Sequence, residues 1–115
     1  MLRFLIACIL LILLDIPWLY LTSTASSTMF RAIQGSPIQM RMWAAIPVYI
    51  ALAYLLLHQT STLGAFTQGA AVYAVYDFTN LLVFKNYTLS FALADTVWGG
   101  VLFATAHTIL KNIRA

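Results

Sequence analysis

The sequence predicts an all-α fold, an integral membrane bundle of four transmembrane helices, and three observations predict it. Hydrophobic residues make up 63% of the 115-residue chain, against roughly 45–50% in soluble domains. Charged residues make up 8%, where about 25% is usual. The apolar residues gather into four runs, each close to the roughly 20 residues that a helix needs to cross the hydrocarbon core of a bilayer. A soluble domain of this length leaves much of its chain exposed and could not hide so much apolar surface. Length alone makes residues 1–115 a single membrane domain.

The first helix is expected over about residues 3–22, interrupted only by Asp15 and Pro17. A polar stretch follows, and residues 25–36 read as a loop or short interfacial helix closed by Gly35 and Pro37. The second helix is expected over 38–57. Arg41 and Trp43 near its start and His58 at its end suit the depth where headgroups meet tails. Its polar and aromatic stripe is Trp43, Pro47, Ala51, Tyr54 and His58. Pro47 leaves a carbonyl of the preceding turn without its donor, an acceptor on offer to an interior site. A connection over 59–64 leads to a third helix over 65–84. Lys85, Asn86 and Tyr87 form a turn, and a fourth helix covers 88–110. Short links make successive helices antiparallel neighbours, which puts both termini on the same side of a multi-pass protein.

Charge excludes some classes of function. The net charge is +3, but no basic cluster exists for nucleic acid to bind. Arg3, Lys111 and Arg114 fall at one face of the bilayer, and Arg31, Arg41 and Lys85 at the other. That tie gives the positive-inside rule nothing to work with, so either orientation, or dual insertion with an antiparallel dimer, is compatible with the sequence. Cys8 is the one cysteine, so no internal disulfide can form. His58 and His107 lie near the same face without a third ligand, and no metal site or cofactor is expected. Thr96, Gly100, Ala104 and Thr108 form a small-residue stripe suited to close helix packing.

The acids carry the functional reading. All six basic residues flank the spans, whereas Asp15, Asp77 and Asp95 all lie within them. An ionisable group in a span costs about 2.5–3.5 kcal/mol on the insertion scale and is by default a functional residue. Asp15 lies eight residues before Ser23, Asp77 eight before Lys85, and Asp95 eight after Tyr87. At 1.5 Å per residue all three sit about 12 Å below one face. They form a layer that a compact bundle can turn toward one interior site. Residues three or four apart share a helix face, which groups Asp15 with Trp18, Asp77 with Tyr73 and Asn80, and Asp95 with Trp98 and Gly99. No lysine or arginine lies at that depth, so the carboxyls cannot all remain ionised without shared protons or a bound cation. Polar side chains also hold membrane helices together, but Asn, Ser or Thr do so at lower cost.

The set Asp15-x-x-Trp18-Leu19, Tyr76-Asp77-Phe78-Thr79-Asn80 and Asp95-x-x-Trp98-Gly99 resembles a family of small membrane proteins filed as domain of unknown function 2177. The resemblance covers essentially the whole chain, including Phe30-Arg31 and Gly35. Phe78 and the short length depart slightly from the usual form. It implies a four-helix membrane protein and names no activity.

The leading expectation is a small transport or channel-like protein that binds protons, a cation or a cationic solute in the carboxyl layer. Asp15, Asp77 and Asp95 would be the binding groups, and Asn80, Tyr76, Thr79, Trp18 and Trp98 would line or orient the site. The plan is like that of small multidrug-resistance transporters, without their motifs. One alternative is an intramembrane enzyme using the carboxyls as acid and base on a lipid or isoprenoid, the lesser reading because no nucleophile–base pair or metal motif is present. Another is an accessory subunit that binds a second membrane protein. The expected partners are the lipid bilayer and a second copy or another membrane protein.

Overall fold

The computed structural model describes residues 1–113 and is all-α, with no strand among the described residues. Five helices follow one another: α1 (Leu2–Leu21), α2 (Ser23–Gln34), α3 (Ala45–Leu57), α4 (Thr62–Val83) and α5 (Leu89–Lys111). A 3-10 turn, Met42–Ala44, leads into α3. Arg114, one of the flanking cations of the sequence reading, lies outside the described residues. Two helices, α1 and α5, are long and apolar enough to cross a membrane. The apolar segment Met42–Leu57 is shorter. Polar residues such as Gln68, Asp77 and Asn80 dilute the 22-residue α4.

Local chemistry sets the helix ends. Of the two expectations for residues 25–36, the short helix is the one found: α2 runs twelve residues from Ser23, and Gly35 ends it in the left-handed conformation at φ 75°. Only glycine adopts that conformation without steric cost. The expected helix over 38–57 begins late, because Pro47 removes the donor that would have bonded back to Trp43. The chain answers with the 3-10 turn, and the backbone N–H groups that cap its end, from Ala45 on, bond to the carbonyls of Met42 and Trp43. The carbonyl that Pro47 leaves is thereby occupied rather than offered to an interior site. The third expected helix starts three residues early, at Thr62, because the Ser61 Oγ accepts the Gly64 N–H at 2.9 Å. Thr88 caps α5 in the same way, accepting the Phe91 N–H at 3.3 Å.

Packing centres on the antiparallel pair α4 and α5. Gly69 and Gly99 meet there, and a Cβ on Gly69 would collide with the Gly99 carbonyl oxygen, while one on Gly99 would strike the Tyr73 ring. Two glycines let the backbones touch. The buried face of α5 runs through Ala92, Asp95, Gly99, Leu102, Phe103, Ala106 and Leu110. Of the expected stripe, Gly100 is buried against the Phe66 ring of α4, Thr96 and Ala104 are half-buried, and Thr108 is exposed.

The first helix packs on α5 and α3. Arg3 donates to the carbonyls of Leu110 and Ile113 at 3.0 and 3.2 Å, so the start of α1 caps the end of α5 with a cation. From there the apolar core formed by Ala7, Leu11, Leu56, Leu102, Phe103 and Ala106 fills this half of the molecule. At the other end α2 lies over the α4–α5 turn. Met29, Phe30 and Ile33 pack on Tyr87 and Phe91, and the Asn86 amide donates to the Ala32 carbonyl at 3.1 Å.

Candidate functional site

The three aspartates are among the most buried side chains of the molecule, exposed by 5% at Asp15, 0% at Asp77 and 7% at Asp95. The motif Asp-x-x-Trp occurs once on α1 and once on α5, and the antiparallel pairing of those helices crosses the two. The Trp98 indole donates to Asp15 at 2.8 Å. The Trp18 indole donates to Asp95 at 2.9 Å. Each acid is held by the other helix's tryptophan, and the two rings stack at 5.2 Å between centroids, 7° from parallel.

The register explains the exchange. Moving on twelve residues from Arg3 gives Asp15, and moving back twelve from Leu110 gives Trp98; three more each way give Trp18 and Asp95. One continuous register therefore joins the helix cap to the acid pair. It also staggers the acids, because Asp95 lies level with Trp18 rather than with Asp15. Three residues of helix rise separate them by about 4.5 Å along the axis. The common layer expected from the sequence is a step of about one turn.

Two donors were not among the expected site residues. Tyr49, on α3, donates to the second oxygen of Asp15 at 2.6 Å. Tyr87, in the α4–α5 turn, donates to Asp77 at 2.6 Å. Burial first, and then the bond to Asp77, push the Tyr87 phenol above its ordinary value, so its proton stays on the ring oxygen. The expected stripe on α3 points the wrong way, since Trp43 and Tyr54 are 70% and 58% exposed. The inward stripe is Tyr49, Leu52, Ala53 and Leu56. In α3 nearly every residue is apolar, so helical periodicity gave no phase; a tyrosine three residues from a core leucine was the available signal.

A cavity of about 410 Å³ opens against this network. Asp15, Trp18, Tyr73 and Asp95 line its inner end, Tyr76 and apolar residues such as Leu19, Val48, Leu52 and Val72 its walls, and Ser26 and Phe30 of α2 its roof. The cavity is open at its edge, where the lining residues Leu19, Val48 and Tyr76 are each about half exposed. Asp77 does not line it. That side chain lies behind, between α4 and α5, with the Asp95 carboxyl within hydrogen-bond reach. Asn80 is half-buried beside Tyr76 and Tyr87. Thr79 is exposed and away from the network. Among the described residues every donor that reaches an aspartate is an indole or a phenol. No group of three or more metal-ligating side chains occurs among them.

Fold and site together define a small all-α protein with membrane-length apolar helices and aspartates buried among aromatic donors. The family model described as "Predicted membrane protein (DUF2177)" matches residues 1–110, and the chain belongs to that family. Its description implies a lipid bilayer as the surroundings. No curated protein and no solved structure matches the chain.

Proposed function

We propose that α1, the segment Met42–Leu57, α4 and α5 cross the bilayer, with α2 along its surface and both termini on one side. The long axis of the molecule, 47 Å, suits a bilayer of about 40–45 Å with its headgroups. Leu5, Ile9, Ile46, Val75, Leu82 and Val97 are among the large apolar side chains that face outward. In water they would be costly, and in lipid they are at home.

Within that frame the protein binds and carries small apolar cations, such as amines with an aromatic or alkyl body. One observation carries this reading: an apolar cavity of about 410 Å³ with Asp15 and Asp95 at its inner end, and only neutral donors on both. Indole and phenol hydrogens stabilise a carboxylate without cancelling its charge. A cation in the cavity supplies the missing opposite charge, while Trp18, Tyr73 and Tyr76 offer aromatic faces worth about 0.5–2 kcal/mol each to a cation. The volume lies in the ordinary range for small-molecule sites, about 300–1,000 Å³. Because the core beyond Asp15 is closed by Leu11, Leu102 and Phe103, passage requires the helices to shift rather than a standing pore.

The test uses benzyltrimethylammonium, which has an apolar ring, a permanent charge and no proton to lose. Proteoliposomes should take it up faster than protein-free liposomes, and Asp15→Asn or Asp95→Asn should slow uptake about tenfold or more, the equivalent of about 1.4 kcal/mol. Uptake by the wild-type protein no faster than by empty liposomes overturns the reading.

The exposed apolar edge of the cavity, at Leu19 and Val48, favours a second reading, acid–base chemistry on an isoprenoid or lipid chain that enters from the bilayer. Purified protein would then convert a prenyl lipid to a product of altered mass, and Asp95→Asn would stop it.

A further inference from the structure

The carboxylate oxygens of the site differ in what faces them. Asp15 has two donors, Tyr49 on one oxygen and Trp98 on the other. Asp95 has Trp18. Asp77 has Tyr87 on Oδ1, but its Oδ2 is buried with no donor among the described residues. The Asp95 carboxyl is the group within hydrogen-bond reach of Asp77. Two ionised carboxylates in that position would set acceptor against acceptor in apolar surroundings, which is among the costliest arrangements a protein can bury. A hydrogen between them removes the conflict.

Among the described residues no other side chain donates to that oxygen. The titratable side chains that face the pair are Asp15 from α1, Tyr49 from α3, Tyr73 and Tyr76 from α4, and Tyr87 from the turn. None is a cation, and α2 packs at Tyr87 with the apolar side chains Met29, Phe30 and Ile33. We propose that Asp77 and Asp95 hold one proton between them and that a cation entering the cavity displaces this shared proton. The exchange rests on the cation reading above; the shared proton does not.

The step balances. The O–H bond of the pair breaks, the proton leaves to water at the surface, and the cation takes its place beside Asp95, so the charge within the site is unchanged. Asp95 is the group common to both events, because it faces the cavity on one side and Asp77 on the other. Asp77 never touches the cation.

Substitution separates the two roles. In Asp77→Asn the amide oxygen still accepts from Tyr87, and the amide N–H takes the place of the shared hydrogen toward Asp95. The fold should therefore hold, which circular dichroism and melting would verify. Infrared spectra of the ligand-free protein at neutral pH should contain the carbonyl stretch of a protonated carboxylic acid, lost in Asp77→Asn and kept in Asp15→Asn. Absence of that band from the wild type, or its survival in Asp77→Asn, overturns the shared proton whatever the protein carries.

The exchange is read in weakly buffered micelles. Adding benzyltrimethylammonium to wild type should release close to one proton per cation bound, whereas Asp77→Asn should bind it and release none. Binding by the wild type without release overturns the exchange and spares the cation reading. Absence of binding, with the infrared band present, overturns the cation reading and with it the exchange, and leaves the proton pair standing.

Discussion

Replacing Trp98 by Phe removes one hydrogen and little else, which makes it a direct test of the crossed pair. The Phe ring still covers part of the stack with Trp18, and Asp15 keeps its bond from Tyr49. What disappears is the 2.8 Å indole bond to a carboxyl only 5% exposed. In water-soluble proteins a hydrogen bond to a charged group contributes about 1.5–3 kcal/mol. Between membrane helices the average is about 0.6 and the largest about 1.7 kcal/mol, because the unfolded helices also find partners. Asp15 is enclosed, so the upper end of the membrane range applies, about 1.5 kcal/mol. Unfolding equilibria in mixed micelles would measure it, with Trp43→Phe as the control, since Trp43 is 70% exposed and donates no side-chain hydrogen bond among the described residues. Trp18→Phe should cost a similar amount. The double variant should cost less than the two together, by roughly 0.5–1.5 kcal/mol, because each change also weakens the same ring stack. A Trp98→Phe protein as stable as Trp43→Phe would refute the crossed arrangement.

Other perturbations test other contacts. Tyr87→Phe leaves Asp77 without its donor and should destabilise by about 1–3 kcal/mol, whereas Tyr54→Phe, on an exposed ring, should be neutral in the same melts. Gly69→Ala drives a methyl into the Gly99 backbone and should cost about 2–3 kcal/mol as α4 and α5 separate. Gly35→Ala meets no atom within 4 Å, so its cost is the left-handed backbone alone, about 1 kcal/mol. Arg3→Gln removes the cation at the end of α5 and should speed hydrogen exchange near Leu110, with a loss of about 0.3–1 kcal/mol.

The helices were legible where polar punctuation broke the apolar runs, and the acids were legible because a charge inside such a run has few innocent explanations. Pairing was not. Asp-x-x-Trp on α1 and on α5 was visible as a repeated spacing, yet the spacing places each tryptophan on the face of its own acid. That the donors are exchanged depends on the antiparallel register of α1 and α5, which Arg3, Ala7, Leu11 and their counterparts Leu110, Ala106 and Leu102 fix by packing. Tyr87 was hidden for a different reason. A tyrosine beside Lys85 and Asn86 reads as a headgroup-depth residue, and only α2 folding back over the turn, with Phe30 against the ring, buries it. Tyr49 was hidden because a uniformly apolar helix has no sequence phase. Local signals name the chemistry of this chain, and long-range packing decides which groups meet.

The same packing bears on why Asp77 is an acid at all. Inserting a charged aspartate into a span costs about 2.5–3.5 kcal/mol, and its one hydrogen bond, from Tyr87, returns at most about 1.7. Asparagine in that position would accept from Tyr87 equally well, donate to Asp95, and avoid the charge. As a fastening between α4 and α5, then, aspartate is the poorer residue. Contact with a solute does not account for it either, because Asp77 is 0% exposed and takes no part in the cavity wall. What aspartate has and asparagine lacks is a proton that can leave. The proposed proton pair accounts for that choice: the group behind the cavity gains and loses a proton while Asp95, in front of it, meets the cation.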